Sequence, residues 1–297
     1  SNSRKSAVLC FGKFIFLFDN KTLLQILLHK NSLIMPSIIG SEYLRQESLA
    51  EEPWRDAELY QPYEAETILL PENSACLAVK TYLQMCKLPF DVKFATNAEY
   101  MSSGGRTTKL PFLRVGAFFA SEFEPIVNLV ENKGISLTED LTEFERSEAR
   151  AYLSLTDNIF TYAELYISYM DEDVYENVTK PRTASAYNPL LGVIQNWRKK
   201  RHALKQLDAM DWKDLTMEEV VEKVATCCNT LDSKLGDKPF MFGDKPVELD
   251  AMAFGHIFSI LTTPLPNNKL AETIRMYPGL VEFCKRVESK YFVQFHF

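Results

Sequence analysis

The sequence has no C-x-x-C pair, and its six cysteines (Cys10, Cys76, Cys86, Cys227, Cys228 and Cys284) follow no framework spacing. It holds only four histidines, at positions 29, 202, 256 and 296. A closed zinc site needs thiolates and imidazoles gathered at short spacings, so no metal site is expected. Cys227 and Cys228 are neighbours, which on a helix point about 100° apart and cannot hold one ion together. Reduced core thiols of a cytosolic compartment are the expectation. Positive charge is also short: 33 Lys and Arg against 40 Asp and Glu leave a net charge of −7. An acidic chain repels phosphate backbones, which argues against nucleic acid as a partner. No apolar run reaches the ~18 residues that a membrane-crossing helix requires.

What is present describes a globular protein, 46% hydrophobic and 25% charged, and 297 residues suit two small domains better than one core. The N-terminal stretch AVLCFGKFIFLF (7–18) is broken by Gly12 and Lys13 and stopped by Asp19, and LLQILLHKNSLI (23–34) follows. Arg4 and Lys5 give it the look of a signal sequence, without a small-residue cleavage site. Ser1-Asn2 resembles a cloning scar and Met35 a natural start, which makes 1–34 an extension, a splice product or an appended partner segment. A helix over 7–34, lying on a membrane or a partner, is one expectation.

Beyond an extension over 1–50, the pattern divides into 51–136 and 137–297. In the first part ETILL (66–70) reads as a strand and SACLAVKTYLQMC (74–86) as a helix with one apolar stripe. DVKFA (91–95) is a second strand, and the polar 96–109 has room for a short or irregular helix. PFLRV (111–115) and AFFAS (117–121) form a hairpin around Gly116, and EPIVNLVENKG (124–134) is a helix closed by Gly134. The second part is helical, over 141–173, 190–209, 216–235, 248–262 and 279–291, with PRTASAYNP (181–189) as a linker. Thr216 and Glu219 make a capping box.

The order β-α-β-(α)-β-β-α, followed by helices alone, resembles the glutathione transferase superfamily. The expected class is therefore α/β plus all-α: a thioredoxin-like N-terminal domain and a helical transferase-like C-terminal domain. In that superfamily the residue before a cis-proline offers its backbone to glutathione. Leu110-Pro111 matches, as fold evidence only. The next helix normally opens with an acidic or amide residue and then a hydroxyl that holds the γ-glutamyl carboxylate. This sequence has Glu122 and then Phe123, with Glu124 adding a further negative charge. Counting back from Leu88-Pro89-Phe90, the dithiol positions of a redox relative fall on Asn73, which cannot form a thiolate, and Cys76. Ser74 is read as the helix N-cap. A glutathione-dependent transferase or thiol enzyme using Ser74 or Cys76 is the alternative kept open.

FMFGDKPVELDAMAFGHI (240–257) resembles the folding motif of the transferase helical domain, with Val247 where a capping hydroxyl is usual and Asp250 retained. His256 within it is read as a satisfied core histidine. WRKKRHALK (197–205) is a basic run, read as a solvated face or as contact with an anionic membrane or an acidic partner. Trp54, Tyr60, Arg198, Lys199, Lys200 and Arg201 are the candidate partner-binding residues.

The runs EEPWRDAELYQP (51–62), ACLAVKTYLQMCKLPFDV (75–92), NAEYMS (97–102), LPFLRVG (110–116), SEFEPIV (121–127), YAELY (162–166) and ELDAMAFGHIFSILTT (248–263) resemble the metaxin family over about residues 50–293. Its second type is the nearer; the first usually carries a C-terminal membrane anchor. The resemblance implies a transferase-like protein without catalysis, bound peripherally and without a transmembrane helix to the cytosolic face of the mitochondrial outer membrane. It implies pairing with a first-type metaxin and with the β-barrel core of the sorting and assembly machinery, a possible link to motor adaptors, and no cofactor.

Overall fold

The computed structural model describes residues 7–11, 14–18, 54–64, 67–95 and 109–292. β1 (Ala7–Phe11) and β2 (Phe14–Phe18) pair antiparallel, with Phe11 opposite Phe14. They belong to a unit covering Ser1–Pro53, separate from the unit Trp54–Phe297. The expected helix over 7–34 is therefore corrected where the chain is described. AVLCF and FIFLF are short runs rich in aromatic and β-branched residues, and a two-residue link lets them pair. Residues 19–34 lie outside the described residues.

The second unit begins with β3 (Ala57–Gln61), α1 (Leu70–Met85), β4 (Asp91–Phe94), β5 (Phe112–Val115), β6 (Phe118–Ser121) and α2 (Phe123–Glu131). The sheet order is β4-β3-β5-β6. β3 runs parallel to β4, which demands a crossover, and α1 supplies it. β5 pairs antiparallel with both β3 and β6. Leu59 lies opposite Val92 on one side and Leu113 on the other.

The first strand of this sheet is AELYQ, not ETILL. Its Ala57, Leu59 and Gln61 point inward, so a buried amide interrupts the apolar alternation that would have marked it. Ile68 to Leu70 are buried as the entry to α1 instead. Pro71 and Glu72 set that start: proline is tolerated in a first helical turn, and the Glu72 carboxylate accepts the Leu69 amide at 3.3 Å. Leu69 is thus the N-cap, and Ser74 lies inside the helix rather than capping it. The 96–109 segment expected to be irregular is described only at residue 109.

The helical part holds α3 (Glu143–Tyr169), α4 (Glu172–Val174), a π-helical turn over Tyr175–Thr179, α5 (Lys180–Ser185), α6 (Pro189–Ala209), α7 (Met217–Leu235), α8 (Glu248–Thr262), α9 (Lys269–Arg275) and α10 (Pro278–Tyr291). Thr142 with Glu145 and Thr216 with Glu219 close capping boxes at α3 and α7, the second as its spacing predicts. The supposed linker 181–189 is largely helix. Pro181 sits in the first turn of α5, and buried Thr183 donates to the Thr179 carbonyl at 2.9 Å.

α8 is the hub. Its Asp250 is buried and accepts the Val247 and Met241 amides, each at 2.8 Å. Those bonds close the helix start despite the missing hydroxyl at Val247. Burial pushes the Asp250 pKa up to about 7, although both amide bonds favour the anion. α8 packs along α1 so closely that a Cβ at Gly255 would lie 2.7 Å from the Ala78 nitrogen, the Ala78 Cβ and the Ser74 carbonyl oxygen.

Candidate functional site

The place where a transferase would hold its thiol substrate is bounded by the start of α1, the loop before β5 and the start of α2. Leu110-Pro111 is cis. The Pro111 carbonyl accepts the Glu122 amide at 3.1 Å, tying the loop to the turn into α2. Glu122 has φ of 69°, left-handed backbone that a non-glycine residue seldom adopts. Its carboxylate meets Lys109 Nζ at 2.6 Å. Phe123 opens α2 and turns inward, its ring edge-to-face with Tyr82 at 5.7 Å. A core contact has thus taken the position where a carboxylate-binding hydroxyl would stand.

The start of α1 offers no nucleophile. Asn73 is half-buried and its amide is engaged in the helix. Cys76 is buried, and burial drives its thiol far above the ordinary range, so it stays protonated. The described cysteines are all free thiols, and Cys227 and Cys228 sit together in the core of α7.

Side chains from the helical part reach across to the start of α1. Lys199 of α6 pairs with Glu72 at 2.7 Å, and Arg182 of α5 donates to the Ile68 carbonyl at 2.9 Å. Together with Pro62, Leu110 and Tyr187 they line a crevice of about 30 Å³. Small-molecule sites run from about 300 Å³ upward, so this space suits a water molecule and no tripeptide.

Behind the crevice lies a buried polar cluster. Glu164 of α3 is fully buried; its Oε1 accepts the Ser74 hydroxyl at 2.7 Å and lies 2.8 Å from His256 Nδ1. The Ser74 oxygen also lies 3.1 Å from the Leu70 carbonyl. Asp157 stands 3.9 Å from His256 Nε2, and Phe160 stacks on the imidazole. Burial raises the Glu164 pKa, outweighing the His256 and Ser74 contacts that lower it. For His256 burial opposes the charged ring, but the facing Glu164 carboxylate outweighs it, and the pKa is raised. Serine, histidine and glutamate meet here, yet in the wrong order for nucleophilic catalysis. The hydroxyl and the imidazole both address the carboxylate, and no imidazole nitrogen reaches the serine. The cluster joins α1, α3 and α8. His256 is satisfied, as its apolar setting predicts; Glu164 was the missed member, legible only as one charge within YAELYISY.

The expected partner residues are dispersed. Trp54 and Tyr60 are half-buried, Trp54 Nε1 donating to the Pro89 carbonyl and the Tyr60 hydroxyl to Glu58. Lys199 is committed to Glu72. Lys200 Nζ lies 3.6 Å over the Tyr175 ring, and the Arg201 guanidinium 5.3 Å over Trp197. Arg198 projects from the exposed side of the same helix. Among the described residues no cluster could hold a metal ion, and no helix is long and apolar enough to cross a membrane.

Sequence comparison places this frame. A family model described as glutathione S-transferase N-terminal domain matches residues 74–174, and one described as glutathione S-transferase, C-terminal domain matches 224–287. Human metaxin-2 is 41% identical over 86% of this chain and 96% of its own length. The chain belongs to the metaxin family. Metaxin-1 of Macaca fascicularis is 27% identical over 73% of this chain and 69% of its own length. A glutathione S-transferase of Ceriporiopsis subvermispora, solved in complex with glutathione, overlays with a TM-score of 0.52 at 12% identity, covering 80% of this chain and 98% of that one. This metaxin therefore has a glutathione-transferase-like fold, and the likeness at that identity concerns the fold alone.

Proposed function

We propose that this chain is a non-catalytic scaffold on the cytosolic face of the mitochondrial outer membrane. It pairs with a first-type metaxin and acts with the sorting and assembly machinery that inserts β-barrel proteins, with a second role as an adaptor for mitochondrial transport. The family membership supports this reading. The observation that carries its non-catalytic part is the crevice of about 30 Å³, lined by Lys199 and Arg182, beside a start of α1 without an accessible thiol or hydroxyl.

Two experiments test the two parts. Isothermal calorimetry with millimolar glutathione is expected to give no heat, and the melting temperature to stay unchanged. Measurable binding, or conjugating activity abolished by Ser74→Ala or Cys76→Ala, restores the enzyme reading. Crosslinking pull-down from mitochondria is expected to recover a first-type metaxin and the β-barrel insertase. Normal β-barrel assembly in cells lacking this chain, together with no metaxin partner recovered, defeats the scaffold.

A further inference from the structure

The outer face of α6 is unlike the rest of this acidic protein. Its inward residues are Gly192, Asn196, Ala203 and Leu207, a stripe at helical spacing. On the opposite side Leu190, Val193, Ile194 and Trp197 are 84%, 70%, 54% and 61% exposed. Four large apolar side chains at i, i+3, i+4 and i+7 form one exposed stripe about 10 Å long. The sequence gives no reason for such a stripe to face water, since α6 has its own buried face.

In the next two turns Arg198, Arg201 and Lys205 continue the exposed face. α6 carries Arg198, Lys199, Lys200, Arg201 and Lys205 against one acid, Asp208, within a chain of net charge −7. Lys199 turns away to Glu72, whereas Lys200, Arg201 and Lys205 make no ion pair among the described residues. Along α6, beside Tyr175, runs an open groove of about 600 Å³, lined mainly by apolar surface and bordered by Val193, Trp197, Arg201, Lys205 and Asp208. The charged heads of Lys200 and Arg201 lie over the Tyr175 and Trp197 rings there.

We propose that α6 is a lipid-docking helix: its Leu190–Trp197 stripe enters the interface of an anionic phospholipid bilayer, and Lys200, Arg201 and Lys205 meet the headgroup phosphates. Three features select a bilayer. A tryptophan stands at the border between the apolar and basic halves, where amphipathic rings settle at a membrane interface. Leu190, Val193, Ile194 and Trp197 are each more than half exposed, as insertion requires. The positive charge is concentrated against the sign of the whole chain, which complements an anionic leaflet. The inference deepens the membrane-surface part of the scaffold reading by giving the chain a lipid contact of its own, independent of any protein partner.

Flotation of the full chain with protein-free vesicles tests it. Vesicles of phosphatidylcholine alone are compared with vesicles containing one part in five of phosphatidylserine. At low salt the chain is expected to bind the anionic vesicles at least tenfold better, and to lose that preference at about 500 mM salt. Ile194→Glu with Trp197→Ala, and separately Arg201→Glu with Lys205→Glu, are each expected to reduce binding at least tenfold. The melting temperature should not change, because these side chains are exposed. Equal binding to both vesicle types, no binding, or variants that float like the wild type overturn the proposal. Sedimentation and metaxin pull-down of the same variants separate the other occupants. If Ile194→Glu dissolves a dimer or loses the metaxin partner while vesicle binding persists, α6 is a protein interface. Loss of vesicle binding with partner capture retained supports lipid docking, and also shows that the scaffold reading stands on a different surface.

Discussion

Gly255→Ala is expected to lower the melting temperature by roughly 4 to 8 °C, although alanine is the better helix former. The propensity gain in a helix interior is about 1 kcal/mol. Against it stands a Cβ at 2.7 Å from the Ala78 nitrogen, the Ala78 Cβ and the Ser74 carbonyl oxygen. Two of those atoms are backbone of α1, so no side-chain rotation relieves the clash, and the helices must separate. Overpacking of this kind costs 1–3 kcal/mol and occasionally more, and at this size about 1 kcal/mol shifts melting by a few degrees. Gly192→Ala is the matched control. There a Cβ would meet Ala184 at 3.3 Å, a contact that a small adjustment absorbs, and the change should be near neutral. Urea unfolding of the two variants decides. Equal stability of both would mean that α1 and α8 are not held in close packing.

The contrast explains what could be read from the sequence. Strand, turn and helix signals over Phe112–Glu131 are local, and that region forms as the pattern predicts. So do the capping box at Thr216 and the boundaries of α8, where short-range chemistry sets the end. The first strand of the sheet escaped because Gln61 occupies an inward position, which breaks the alternation that names a strand. The lining of the crevice was also illegible. Lys199 and Glu72 are 127 residues apart, and their pairing depends on how α6 lies against α1. Within WRKKRHALK the basic residues look equivalent, yet Lys199 turns to Glu72 and Lys200 to the Tyr175 ring while Arg198 and Arg201 are exposed, a helical-phase distinction that composition alone does not carry. The absence of transferase groups at Asn73 and Phe123 needed only counting, because those positions are fixed relative to prolines.

The Glu164–His256 pair makes folding pH-dependent, with a sign opposite to that of an ordinary surface ion pair. His256 has its pKa raised in the folded state, so its contribution is complete below the unfolded value near 6.5 and is lost as pH rises through the folded value. Glu164 is also raised, chiefly by burial, so the folded state holds a proton that the unfolded carboxylate has released. Both shifts act in one direction. From pH 6.5 up to the raised folded value of His256 the pair keeps a proton that the unfolded chain gives up, and stability should fall there by up to about 1.4 kcal/mol per pH unit. His256→Ala removes the imidazole and strands the Glu164 carboxyl in the core, with Ser74 as its remaining partner. Breaking a buried pair from one side costs about 3–5 kcal/mol, and here the loss should grow with pH as the carboxyl is forced to ionise. Glu164→Leu combined with His256→Phe fills the same space without charge and should recover most of the stability, because an apolar replacement has no charges to desolvate. Urea unfolding at pH 6.5, 7.5 and 8.5 measures all three. A wild-type slope shared by the double variant would show that the pair binds no extra proton on folding. A double variant as unstable as His256→Ala would show that α1, α3 and α8 depend on the polar contacts themselves.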